Sequence, residues 1–301
     1  MNINSSPLVS IIIPTYNHAK FIGKALNSVK NQTYKNWEAI VIDNNSTDET
    51  NKILNNITDT RIKHIKIDNK GVIAKSRNIG INEANGEWIA FLDSDDFWTK
   101  DKLEICIKNI NVNIDFIYHC LESVNDNKKF IFKKKKFVGR KLNKPILNDL
   151  LVSSIFKGTP IGNSSVFVRK KILNKIGGIS ENKKLITSED FNTWLRIAEM
   201  TDNFKYINQK LGYFLIHEGS SQKNINLSIP HREAVIDFMH LLNKNDRLSF
   251  ELKLKYFSGS FNANIKNKIQ AKKDLIFVIK YGPIKSKLKS LLKIIILIIF
   301  N

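Results

Sequence analysis

The sequence predicts an α/β fold, in which a mostly parallel, Rossmann-like sheet carries helices on both faces and a helical tail follows. Apolar runs of strand length at residues 9–13, 39–42 and 89–92 alternate with stretches whose apolar side chains recur at helical spacing. Such uninterrupted runs are typical of strands buried on both faces, and the alternation with helices is typical of parallel sheets. The 301 residues, 42% of them hydrophobic, are enough for a sizeable core.

Two strand-and-helix pairs open the chain. Residues 9–13 are a β-branched run, and apolar residues at helical spacing follow at 21–29. Residues 39–42 predict a second buried strand. Ser46 and Glu49 then fit a capping box, so we expect a helix to begin there.

The next elements complete the first hundred residues. Residues 61–67 alternate apolar and basic side chains, which predicts a third, half-exposed strand. A helix is predicted over 72–84, with Gly86 as its C-cap. The strand at 89–92 follows, and another amphipathic helix begins near Lys102.

The pattern is looser in the second part of the chain. Residues 164–169 and 212–216 predict strands, and Glu189 opens an amphipathic helix. The Lys-rich stretch 128–136 carries interleaved Phe, and we favour a hairpin with one solvated face over a nucleic-acid platform. From residue 224 onward the chain is predicted to be helical and increasingly basic.

The formal net charge is +20, from 48 Lys and Arg against 28 Asp and Glu. Such an excess suits nucleic acid, an anionic membrane surface or a phosphate-bearing substrate, and abundant Lys throughout the chain accounts for part of it. Cys106 and Cys120 are the only cysteines, which excludes a disulfide framework or a zinc cluster. Residues 1–7 are short and polar and do not resemble a signal peptide, so we expect a cytoplasmic protein.

The last residues, 291–300, are strongly apolar but too short for a bilayer crossing, which takes about 20 residues. Lys280, Lys285, Lys287 and Lys289 precede them. Basic residues beside an apolar segment favour peripheral attachment to the cytoplasmic face of an anionic inner or plasma membrane. The alternative is a C-terminal helix or strand packed on the domain or on another subunit.

Polar residues follow three of the predicted strands, at 15–17, 43–44 and 93–96. The carboxyl ends of parallel strands share one edge of a sheet, and ligands bind at that edge. The closely spaced carboxylates within 93–96 would repel one another, and a hard divalent cation such as Mg²⁺ or Mn²⁺ would neutralise them. The alternative is an acidic loop whose charges favour the start of the following helix.

Five motifs stand in order along the chain. They are Pro14-Thr15-Tyr16-Asn17, Asp43-Asn44-Asn45-Ser46-Thr47-Asp48, Arg77-Asn78-Ile79-Gly80, Asp93-Ser94-Asp95 and Glu189-Asp190. Together they resemble the family 2 glycosyltransferases, over about residues 7–219. The family has the GT-A fold, in which a nucleotide-binding half joins an acceptor-binding half. The resemblance therefore implies a transferase domain at 1–219, with its halves at about 1–100 and 101–219, and a basic helical tail at 220–301.

The resemblance also implies roles for individual residues. Asp190 would be the general base that takes the proton of the acceptor hydroxyl, and Mn²⁺ or Mg²⁺ would lie on the donor diphosphate. For Glu189 and Asp190 the alternative is simple first-turn helix charge; for His217 it is a structural role, and for Arg77 a surface ion pair. The residues implied for donor binding are Thr15, Tyr16, Asn17, Asp43, Asn44, Arg77, Asp93 and Ser94, and those for the metal are Asp95, Asp93 and His217.

The implied reaction moves a sugar from a nucleotide diphosphate donor to a glycan or lipid-linked acceptor, with inversion, in cell-surface polysaccharide synthesis. A UDP-sugar is the expected donor, but Asn44 stands where many members have an acid, so thymidine and guanosine donors stay open. One rival is a non-catalytic scaffold that binds a sugar nucleotide. The other is a nucleic-acid-binding protein, which the ordered acidic motifs disfavour, so we expect no nucleic-acid partner.

Overall fold

A computed structural model, which describes residues 6–125, 137–156, 159–217 and 225–299, contains one mixed sheet of nine strands. The strands are β1 (Val9–Thr15), β2 (Trp37–Asp43), β3 (Ile62–Lys66), β4 (Trp88–Phe91), β5 (Phe97–Trp98), β6 (Phe116–Asn125), β7 (Phe137–Val138), β8 (Phe167–Arg169) and β9 (Phe204–Ile216). The helices are α1 (Ala19–Lys30), α2 (Thr50–Asn55), α3 (Ile73–Glu83), α4 (Lys102–Lys108), α5 (Ile146–Phe156), α6 (Lys170–Lys175), α7 (Glu189–Met200), α8 (Ser228–Val235), α9 (Lys244–Asn264), α10 (Lys268–Tyr281) and α11 (Ile284–Ile299).

The strands follow the order β3-β2-β1-β4-β8-β6-β9-β5 across the sheet, and β7 pairs with β6. Strands β1 to β4 are parallel to one another, whereas β8 runs antiparallel to both of its neighbours, β4 and β6. β6 and β9 are parallel to each other. The carboxyl ends of β2, β1 and β4 therefore meet at one edge, and the predicted mostly parallel sheet is confirmed.

Both faces of the sheet are covered. On β1, Ile11 and Ile13 pack into one cluster with residues of α1, α2 and α4, such as Leu26. Ile12, which points to the opposite face, packs into a second cluster with residues of α3, α5 and α7, such as Trp194. This alternation along a fully buried strand places helices on both faces, as the sequence predicts.

The first two C-terminal helices, α8 and α9, pack on the second of these clusters. Val235 of α8 and both Phe250 and Leu254 of α9 belong to the same cluster as Ile12. The predicted helical tail is thus present as α8 to α11, and its first two helices share the core of the sheet. Within the described residues, no helix combines the length and the apolar character that a membrane crossing needs.

Two local expectations were wrong. The capping box predicted at Ser46 and Glu49 does not form, because helix α2 begins only at Thr50. The backbone N–H of Thr50 donates to the Asp48 carboxylate at 3.0 Å. Ser46 instead donates its hydroxyl to Asp43. Gly86 is not a C-cap, because α3 ends before it. A Cβ atom at Gly86 would lie 2.7 Å from the Leu8 carbonyl oxygen and from the Ser10 backbone nitrogen. Glycine therefore permits close packing against β1 at this position.

Several elements were not predicted. Strand β6, the helix α5 and the first two thirds of β9 fall where the sequence shows no clear periodicity. The antiparallel direction of β8 also follows from its connections, which the pattern of residues 164–169 does not reveal. The hairpin predicted for 128–136 lies outside the described residues.

Candidate active site

The polar segments after β1 and β2 are tied together by hydrogen bonds. Asn44 donates its backbone N–H to the Thr15 carbonyl at 2.9 Å. Asn17, whose backbone is left-handed at φ 51°, donates its N–H to the Ser46 hydroxyl at 2.9 Å and accepts from the Thr47 N–H at 2.8 Å. The segments at the end of β1 (residues 15–17) and at the end of β2 (residues 43–47) therefore form one surface at the edge of the sheet, which we call the floor.

The predicted donor-binding residues in this floor differ in whether their side chains are already engaged in hydrogen bonds within the protein. Asp43 is buried and accepts from both the backbone N–H and the hydroxyl of Ser46. The side-chain oxygen of Asn44 accepts from the Asn69 N–H at 2.7 Å, so both residues hold loops in place. In contrast, Tyr16 is 53% exposed, and the buried hydroxyl of Thr15 has no hydrogen-bond partner within the described residues.

Asp96, the last acid after β4, is a structural group. The Ser164 hydroxyl donates to one of its carboxylate oxygens at 2.6 Å, and the Leu215 N–H of β9 donates to the other at 3.0 Å. Burial, and then the charges of Asp95 and Asp93, raise the pKa of Asp96 well above its usual range. Asp96 therefore joins the end of β4 to β9 across the sheet.

Asp95 lies beside two histidines. Its carboxylate is 2.9 Å from His217 Nε2, and His18 Nδ1 is 2.7 Å from the Ser94 hydroxyl. One potential ligand atom each from His18, Asp95 and His217 lie within 4.8 Å of one another. Burial lowers the pKa of His18, against the opposing charge of Asp95, which favours the neutral imidazole that metal binding requires.

This donor set fits a divalent cation. Carboxylate oxygens and neutral imidazole nitrogens are both common ligands of divalent cations in proteins. His18 was not among the predicted ligands; its only signal in the sequence is its place directly after Thr15-Tyr16-Asn17. Asp93, which was predicted as a ligand, lies outside this group of three.

Arg77 links the acids after β4 to the acids of α7. Its guanidinium donates to Glu189 at 2.7 Å and to Asp93 at 2.9 Å, and its side chain is only 4% exposed. Burial alone would lower the pKa of Arg77, but the carboxylates of Asp93, Glu189 and Asp190 raise it above its usual value. In place of the surface ion pair considered for Arg77, its buried guanidinium makes one ion pair with buried Glu189 and one with half-buried Asp93.

Asp190 is the second residue of α7 and accepts the Phe191 N–H at 2.7 Å. It retains some solvent-accessible surface, yet burial, and then the charge of Glu189, raise its pKa to about 7 against the opposing charge of Arg77. A carboxyl group with such a pKa can exchange a proton at neutral pH.

Several buried polar atoms around Arg77 have no hydrogen-bond partner within the described part of the chain. They are Nε of Arg77 itself, the side-chain oxygen of Asn163, one carboxylate oxygen of Glu189 and the hydroxyl of Thr187. The amide nitrogen of the same Asn163 donates to Asp93 at 2.8 Å. Because buried polar atoms are normally satisfied, these groups are candidates for contacts with ligand hydroxyls.

Asn163 and Ser164 were not identified from the sequence. Both lie in a short 3-10 turn just before β8, and no motif of the sequence marks them. They reach the site because β8 inserts next to β4, where Ser164 also accepts the backbone N–H of Asp93 at 3.0 Å. Asn163 and Ser164 could be identified only from the position of the antiparallel strand β8.

Comparisons with known proteins agree with this geometry. The model of the family described as "Glycosyl transferase family 2" matches residues 10–177, which is more than half of the chain. Two Escherichia coli proteins, WfgD and WfaP, are each named as a UDP-Glc:alpha-D-GlcNAc-diphosphoundecaprenol beta-1,3-glucosyltransferase. WfgD is 33% identical over 67% of this chain and 73% of its own length, and WfaP is 31% identical over 72% and 80%.

Among solved structures, S. aureus TarS 1-349 in complex with UDP-GlcNAc superimposes with a TM-score of 0.63. The match covers 96% of this chain and 88% of that chain at 20% sequence identity, and it shows the GT-A fold. The sheet, its strand-end acids and the sequence matches lead to one assignment: this chain is a glycosyltransferase and belongs to glycosyltransferase family 2.

Proposed function

We propose that this protein transfers a hexose, with glucose as the first candidate, from a UDP-sugar to a hydroxyl of a lipid-linked glycan, with inversion at the anomeric carbon. The names of WfgD and WfaP, which match over two thirds or more of this chain, support the donor and the acceptor class. The observation that carries the proposal is the Glu189–Arg77–Asp93 bridge, which joins Asp190 to the strand-end acids.

Asp190 is the proposed general base. With a pKa of about 7 it is substantially ionised at neutral pH, so its carboxylate can accept the proton of the acceptor hydroxyl as that oxygen attacks the anomeric carbon. Attack from the face opposite the leaving nucleotide inverts the configuration. Arg77 holds Glu189 at the start of the same helix and so fixes the position of the base.

The metal site, for Mn²⁺ or Mg²⁺, is proposed at His18, Asp95 and His217. When bound there, the cation would stabilise the negative charge that develops on the departing diphosphate. Asp93 is proposed on the donor side instead, because its carboxylate already accepts from Arg77 and Asn163.

The nucleotide is proposed to lie on the floor formed after β1 and β2. Tyr16 offers an exposed ring for stacking, and Thr15 offers a buried hydroxyl that lacks a partner among the described residues. The side-chain oxygen of Asn44 already accepts from Asn69, and this contact would compete with a direct bond to the base. Choice between UDP, thymidine and guanosine donors therefore depends chiefly on Thr15 and Tyr16.

The test is transfer from UDP-glucose to a GlcNAc-diphosphate lipid in the presence of Mn²⁺, with dTDP-glucose and GDP-mannose as competing donors. We expect UDP-glucose to be preferred and NMR of the product to show a β-linkage, which is the inverted configuration for an α-linked donor. A product with retained configuration would contradict the role of Asp190. Equal transfer from all three donors would contradict the assignment of the nucleotide.

A further inference from the structure

Helix α11 exposes its most apolar stripe. Ile284, Leu288, Leu291, Ile295 and Ile298 recur at intervals of four and three residues, which places them along one face of the helix. Their exposed fractions run from 41% for Ile295 to 77% for Ile284. We name these five residues the α11 stripe. A continuous apolar surface of this kind marks an interaction site.

The side of α11 that packs on the protein is a different one. Ser290 and Leu297 are 0% and 2% exposed, and α11 contacts α10 and α9 through this side. The packed C-terminal helix, considered from the sequence as the alternative to a membrane segment, is thus present. It nevertheless leaves its larger apolar face uncovered, so packing on the domain does not account for the stripe.

The charges around the stripe identify its occupant. Lys280, Lys285, Lys287 and Lys289 lie on or just before α11, and the sequence has no acidic residue after Asp274. A symmetric pairing of α11 with α11 of a second copy would place lysines against lysines. Anionic lipid headgroups complement these charges, and the acyl region below them accepts apolar side chains.

We propose that α11 lies in the interface of an anionic membrane, with the α11 stripe among the acyl chains and its lysines at the lipid phosphates. The inference deepens the proposed function and rests on it in one respect, since the lipid-linked acceptor is what gives membrane docking its purpose. The helix lies along the surface and does not cross the bilayer.

A chain of packed side chains connects α11 to the helix that carries the proposed base. Lys293 of α11 and Phe257 of α9 line a cavity of about 260 Å³. The Phe257 ring packs edge-on against His231 at 5.4 Å, and His231 in turn stacks on Phe191 at 6.4 Å, next to Asp190. Packed elements therefore run from α11 through α9 and α8 to α7, the helix that carries Asp190.

Flotation of the full chain with vesicles tests the stripe. We expect the protein to bind phosphatidylcholine vesicles that contain phosphatidylglycerol, and the triple variant L288Q, L291Q, I295Q to bind roughly tenfold or more weakly, because three apolar side chains leave the interface. The control is V112Q, M200Q, L248Q, whose residues are similarly exposed at 73%, 49% and 45% but lie elsewhere. It should bind like the wild type.

The charges are tested separately. K285E with K289E should weaken binding to the same vesicles, and added salt should weaken the wild type, because both reduce attraction to anionic lipid. K175E with K205E makes the same change in net charge at exposed positions outside α11 and should have a clearly smaller effect. Equal losses in the two double variants would contradict a specific basic face.

Two further outcomes would overturn the proposal. Wild-type protein that does not float with anionic vesicles, or a triple variant that floats equally well, removes the membrane as occupant. Lipid-free sedimentation in which the wild type dimerises and the triple variant does not would assign the α11 stripe to a second copy of the chain.

Activity separates this inference from the proposed function. The triple variant should transfer to a short-chain, water-soluble acceptor like the wild type and lose transfer only to acceptor embedded in vesicles. If the wild type floats with vesicles but uses neither acceptor, the proposed function is wrong while the docking surface stands. If the wild type uses both acceptors but does not float with vesicles, the docking surface is wrong while the proposed function stands.

Discussion

The acids that follow β4 and the acids that open α7 are held in different ways. After β4, Asp93 accepts from Arg77, Asp96 accepts from Ser164 and Leu215, and Asp95 lies against His217. At the start of α7, Glu189 is paired with Arg77, whereas Asp190 has no ion-pair partner within the described residues.

This difference separates positioning from proton transfer. A carboxylate that accepts from fixed donors is held in one place, which suits binding a ligand or holding the fold. Asp190 has no such cation partner, remains partly exposed and has its pKa raised to about 7, which suits a base that meets an acceptor.

The largest expected effect is that of Asp190→Asn on turnover. Removal of a general base should lower kcat by about 10²–10⁴-fold while donor binding changes little, since the amide keeps the shape of the side chain. Steady-state kinetics with calorimetric donor titration would measure both. Glu199→Gln, an exposed acid on the same helix, is the control and should leave kcat unchanged.

Next in size is the loss of metal affinity. Asp95→Asn and His18→Ala should each weaken Mn²⁺ binding by about 10–100-fold in the presence of UDP, because each removes a proposed ligand or its close support. Electron paramagnetic resonance of free Mn²⁺ reports this without turnover. His240→Ala, at an exposed position, should not change it. Unaltered Mn²⁺ affinity in His18→Ala would remove His18 from the site.

Asp96 should affect stability instead. Asp96→Ala leaves the Ser164 hydroxyl and the buried Leu215 N–H without their acceptor, which should lower the free energy of unfolding by about 1–3 kcal/mol. Urea denaturation of Asp96→Ala and Asp95→Ala would compare the two neighbours. A larger loss of unfolding free energy in Asp95→Ala than in Asp96→Ala would show that Asp95, and not Asp96, is the anchoring residue.

The smallest effect concerns the pH dependence of stability. The folded-state pKa of Asp190, about 7, lies above its ordinary value of 3.8, so the folded protein binds the proton more tightly than the unfolded chain does. The resulting stabilisation is full below about pH 4 and is lost as the pH rises to about 7. Asp190→Asn should therefore be more stable than the wild type at pH 8 and similar to it at pH 4. Thermal unfolding at both pH values measures this difference.

Much of the donor side was predictable because its signals are local. The apolar runs of β1, β2 and β4 and the polar residues that follow them are contiguous in the sequence, and a parallel sheet brings such strand ends to one edge. The fold class and the family assignment were confirmed by the structure and the comparisons.

The remainder depends on contacts between distant segments. His18 follows β1, Asp95 follows β4 and His217 follows β9, and no spacing along the chain signals that the three will meet. Asn163 reaches Asp93 because β8 inserts antiparallel beside β4. Residues 125–215, where no motif was found for the acceptor, contain the helix α5 and most of β9.

The position of Arg77 has a mechanical consequence. Asp93 follows β4, close along the chain to Arg77 itself on α3, whereas Glu189 opens α7. Moving α7 away from the sheet would strip the buried guanidinium of Glu189, and breaking one buried pair typically costs about 3–5 kcal/mol. We therefore expect substrates to enter and leave through rearrangement of surface loops, with the sheet and α7 staying together as one rigid unit.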